Sequence, residues 1–131
     1  MNLLTENTAE ILILFYITIT FAYSAFEKML QWNDSVAFYR DHFKNTFLQK
    51  HIPLSLWIVI ILEIITVMVS SIGIFQLIGS GEKQFGLYGL ILAAITLIGL
   101  MIGQRIAKDY AGAMNISIYF ILTVFGVYLL Q

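Results

Sequence analysis

The chain has 131 residues, of which 60% are hydrophobic and 11% charged, with a mean hydropathy of +0.86 and a net charge of −1. Soluble domains carry about a quarter charged residues, so the composition excludes an ordinary water-soluble globule, and no nucleic-acid partner is expected. Cysteine is absent, which rules out disulfides, thiol redox chemistry, Fe–S clusters and thiolate zinc sites.

Four apolar stretches, at about 9–30, 53–78, 85–106 and 111–130, each hold roughly the 20 residues that a ~30 Å hydrocarbon core requires. The expected fold is therefore all-α. It is a single integral membrane four-helix bundle over 1–131, with an amphipathic interfacial helix at about 34–50 between helices one and two. The first ten residues carry Glu6 and Glu10 and no Lys or Arg, unlike a cleaved signal peptide, so the first stretch reads as a retained helix. Along it Tyr16, Thr20, Tyr23 and Glu27 share a narrow arc, expected to face the bundle interior.

The loop that follows is too long for a plain connector. Asn33, Asp34 and Ser35 are helix N-cap candidates. Beyond them Val36, Tyr39, Phe43 and Phe47 fall on one helical face, with Asp41, Asn45 and Gln49 opposite. Two readings fit: a helix lying on the headgroups with Arg40 and Lys44 near anionic lipid, or a lid whose aromatics pack under the bundle. His42 and His51 sit nine residues apart in this loop, on opposite faces of a helix, which does not suit paired haem ligation.

Pro53 suits the first turn of helix two, where a missing N–H costs nothing. Ten positions on stands Glu63, inside the apolar run. A carboxylate at that depth must be paired, protonated or hydrated. Lys28 and Arg105 are the candidate partners. An ion pair, a ligand or proton site, and an inert protonated acid all remain open. Glu63, Thr66, Ser70 and Gly73 share a face of helix two. Gly89, Ala93, Thr96 and Gly103 make a smooth strip on helix three, and Asn115, Tyr119 and Gly126 align on helix four. Such small and polar residues are what membrane helices pack through. The candidate buried polar or ligand site is Glu63, Lys28, Tyr16, Tyr23, Glu27, Asn115, Tyr119 and Arg105, with no catalytic or metal residues.

Six of the seven basic residues (Lys28, Arg40, Lys44, Lys50, Arg105 and Lys108) belong to loops one and three, and only Lys83 to the other side. The positive-inside rule then places loops one and three in the cytoplasm and both termini outside, in a bacterial inner membrane.

The run Phe21-Ala22-Tyr23-Ser24-Ala25-Phe26-Glu27-Lys28-Met29-Leu30, the helix-two Leu62-Glu63-Ile64 with Ile72-Gly73 after it, and Gln104-Arg105-Ile106-Ala107-Lys108-Asp109-Tyr110-Ala111-Gly112-Ala113 carry a resemblance. The chain resembles the DoxX-like family of small four-helix membrane proteins over nearly its whole length. That resemblance implies association with redox membrane modules, among them a quinone-reducing thiosulfate oxidoreductase, a methylamine-utilisation maturation protein and oxidative-stress complexes. Only Lys28 and Glu63 match polar positions of the family pattern, and family members with thiol chemistry use cysteines that this chain lacks. The first functional reading is an accessory subunit of a redox or quinone-linked membrane complex, not itself an enzyme, with the bilayer and a protein partner or second copy around it. The second is a small-molecule or quinone-binding protein with a pocket around Glu63; the third is a small proton-coupled transporter. No cofactor is required, and a quinone is the one allowed.

Overall fold

The computed structural model describes residues Leu3–Gln131, with side chains from Thr5 onward. A four-residue turn of helix, α1 (Leu3–Glu6), leads into α2 (Thr8–Leu30). A shorter helix, α3 (Trp32–His42), and a 3-10 turn at Phe47–His51 precede the long α4 (Ile52–Gly79), and α5 (Gln84–Ile106) and α6 (Tyr110–Leu130) complete the chain. Four of these helices, α2, α4, α5 and α6, are long and apolar enough to cross a membrane. The protein is an all-α membrane helical bundle, and its four spans start and stop within a residue or so of the hydropathy boundaries.

The helix ends follow local chemistry. Pro53 lies in the first turn of α4. At its far end the backbone N–H groups of Ser80 and Gly81 both donate to Gln76 O, and Gly81 takes the left-handed φ of 79° that glycine accepts without strain. The α6 helix starts under a side-chain cap, with the carboxylate of Asp109 accepting from Gly112 N at 2.9 Å.

Consecutive long helices pack side by side: α2 on α4, α4 on α5, and α5 on α6. A shorter seam between α2 and α6 closes the ring. The tightest line runs between α4 and α5. A Cβ added to Gly73 would collide with the backbone of Gly86, and one on Gly89 would collide with Ser70. Leu14, Ile17, Ile60, Leu77 and Leu90 fill the centre, while Ile58, Ile65, Met68, Ile72 and Phe75 of α4 point outward. An outward isoleucine row would be costly in water but is ordinary against acyl chains.

Loop one departs from its expected form. The helix begins at Trp32 with Gln31 as cap and no side-chain cap bond, so Asn33, Asp34 and Ser35 lie inside its first turn. It also stops at His42. The left-handed Asn45 (φ 65°) and the separate 3-10 turn then take Phe47 off the face of Tyr39, leaving Phe47 exposed. The ring of Trp32 meets that of Trp57 with centroids 5.2 Å apart. Trp57 is the sixth residue of α4, so α2 ends about 7 Å short of the start of its neighbour. From there α3 crosses towards the corner of α5 and α6, where the imidazole of His42 lies 2.8 Å from Gln104 Oε1.

Candidate functional site

The buried face of α2 repeats every three or four residues through Leu14, Ile17, Phe21 and Ala25, and the next position on it is Lys28. The buried face of α4 runs through Leu56, Ile60, Glu63, Thr66 and Ser70. Where the two faces meet, Lys28 Nζ donates to Glu63 Oε1 at 3.1 Å, with Glu63 only 2% exposed and Lys28 8%. The hydroxyl of Ser24, one turn before Lys28, also contacts the ammonium group. Thr66 and Thr96 are buried close by on α4 and α5, each donating to its own helix backbone four residues back.

Two cavities meet at this cluster. One, of about 520 Å³, lies between α2, α4, α5 and α6 beneath α3. Its walls are mainly apolar, with Leu56, Val59, Leu62 and Leu100 among them, and its polar end is Ser24, Lys28 and Tyr39. It is open at the side where Ile58, Ile95 and Ile102 are half-exposed on the outer face of α4 and α5. The other, of about 580 Å³, is a polar cleft in the elbow of α2 and α3, lined by Thr20, Tyr23, Glu27, Gln31 and Asp34. Ser24, Lys28 and Tyr39 line both. Burial pushes the Tyr39 phenol above its ordinary pKa, and the carboxylates of Glu63 and Glu27 push it further, so it stays a neutral hydroxyl. A neutral phenol, a hydroxyl and an ammonium group at the end of an apolar chamber can orient an amphipathic molecule by its polar head.

The remaining expected residues are spread differently. The arc of Tyr16, Thr20, Tyr23 and Glu27 turns away from the core, with Tyr23 71% and Tyr16 51% exposed, because the apolar arc that ends in Lys28 takes the inner side. Of that arc only Tyr23 and Glu27, with Thr20, reach the Lys28 neighbourhood, through the polar cleft. Tyr16 instead stacks obliquely on Tyr119 of α6, centroids 6.3 Å apart. Asn115 is exposed, and Arg105 lies outside the bundle over the ring of Tyr110 at 5.5 Å. Lys28, not Arg105, is the residue that meets Glu63. The pattern gave no weight to Ser24 or Gln104 and set Tyr39 only on the aromatic face of loop one, without joining it to Glu63. Ser24 had a signal, lying one turn from Lys28, whereas Tyr39 and Gln104 join the site only through the path of α3. Among the described residues no three His, Asp or Glu side chains gather closely enough to hold a metal ion.

Comparison of the chain with protein-family models, with curated proteins and with solved structures gives no match in any of the three.

Proposed function

We propose that this is a membrane protein that binds a lipid-soluble amphiphile, with the tail in the apolar cavity and the polar head against Lys28, Ser24 and Tyr39. A quinone is the ligand class in keeping with the DoxX-like resemblance, and service as an accessory subunit of a redox membrane complex is the setting that resemblance suggests. The observation that carries the reading is the 520 Å³ apolar chamber whose polar end is Ser24, Tyr39 and the Lys28 ammonium group, itself paired with Glu63, because pockets of this size with few polar groups at one end are the usual form of small-molecule sites. The same reading places the protein in a bacterial inner membrane with loops one and three in the cytoplasm. Even with Lys28 counted in the bundle, Arg40, Lys44, Lys50, Arg105 and Lys108 stand on that side against Lys83.

Gly99 provides the test. It lines the cavity, and a Cβ added there meets nothing within 4 Å. Gly99→Leu therefore adds bulk to the chamber without a clash in the bundle. Protein purified in mild detergent should carry a lipid-soluble compound detectable by mass spectrometry. The variant should lose about tenfold of it, the loss expected when the added side chain takes about two methylenes' worth of tail burial, roughly 1.4 kcal/mol. Equal retention by both proteins would overturn the reading.

A further inference from the structure

We propose that α3 is a hinged lid over the polar end of the apolar cavity, latched shut by His42 on the corner between α5 and α6, and that this end of the bundle is the cavity's entrance from the aqueous side. The inference rests on the binding reading above for its purpose, but not for its test. Three features of α3 carry it. It is the one helix of more than two turns with no fully buried residue among the described ones, Tyr39 being half-buried, so hydrophobic burial holds it less firmly than the four spans. Its attachments are instead polar and aromatic, and concentrated at its ends. At the start, Trp32 leans on Trp57. At the finish, the His42 ring nitrogen is 2.8 Å from Gln104 Oε1 and 3.5 Å from Asp109 Oδ2, with Phe38 stacked on the ring.

Both ends also have somewhere to bend. The helix breaks from α2 at Gln31, whose φ and ψ of −116° and 50° are non-helical. Beyond His42 the turn through left-handed Asn45 and the 3-10 segment supplies slack before α4 begins. A swing of α3 therefore leaves the four spanning helices in place. What it would uncover is specific: Tyr39 and Phe43 travel with the lid and line the cavity, and Gln104, which also lines it, is the residue that the lid's His42 lets go. Opening removes one side of the chamber and exposes the Lys28 end to the loop-one side.

The chain has no cysteine, so introduced thiols report on single positions. Spin labels at Arg40→Cys on α3 and Met114→Cys on α6 report the lid's distance from the bundle. Separately, Thr96→Cys, buried on the cavity wall, reports access through its reaction rate with a water-soluble maleimide. His42→Ala is expected to add a longer-distance population and to raise the Thr96→Cys rate about tenfold, the factor by which losing one polar anchor shifts a local opening. Gln104→Ala should move both readouts the same way and serves alone if His42→Ala loses helicity. Unchanged distances, or faster modification without any movement of the labels, would overturn the lid. Neither readout uses a ligand. A lid that opens over a chamber retaining no amphiphile would sink the binding reading and leave the lid standing.

Discussion

At the scale of single residues the molecule turns on Lys28 and Glu63. Two opposite charges out of water are tolerable together and costly apart, because each alone keeps the desolvation penalty without the attraction. Lys28→Met and Glu63→Leu, made singly, should each destabilise the bundle by roughly 3–5 kcal/mol in the buried-pair limit. The double variant Lys28→Met, Glu63→Leu should recover most of that loss. Unfolding in detergent measures all three, and a double variant as unstable as the sum of the singles would show that the pair is not coupled. Glu63 was legible in the sequence because a carboxylate inside an apolar run has no bland explanation. Its partner was legible only as a choice between Lys28 and Arg105. The polar arc of α2 misled for a physical reason: helical periodicity groups residues by face but does not say which face turns inward. Lys28 belongs to the apolar arc, where its own charge hides it among Leu14, Ile17 and Phe21.

At the scale of elements, the four spans were legible to within a residue because hydropathy over some 20 residues averages out local detail. The short α3 was not, since its start has no capping side chain and its end depends on a left-handed asparagine. The seam between α4 and α5 was legible as small residues on matching faces, and it sets the sharpest constraint on packing. Gly73→Leu or Gly89→Val must push two backbones apart, so each should cost about 3 kcal/mol or more. Gly79→Ala, at a position where an added Cβ meets nothing within 4 Å, should lie within about 1 kcal/mol of the parent, a modest gain from helix propensity included. Thermal denaturation in a single detergent compares them. A Gly73→Leu protein as stable as the parent would mean that the two helices are not held at this distance.

For the molecule as a whole, the charge asymmetry between its two ends predicts the way it sits. A reporter active only in the cytoplasm should be silent when fused at Gln131 and active when inserted after Lys50. A signal from the C-terminal fusion would reverse the orientation. The bundle has a further property at this scale. At 1.5 Å per residue the 28 residues of α4 reach about 42 Å, whereas a typical hydrocarbon core is ~30 Å thick. The outward side chains of α4 are apolar from Leu54 to Ile78, so the excess cannot simply stand in water. A helix too long for its bilayer tilts or draws the lipid around it thicker, at a fraction of a kcal/mol per Å. The longest helix thus makes the protein sensitive to membrane thickness, drawn towards thicker patches of bilayer by hydrophobic mismatch alone.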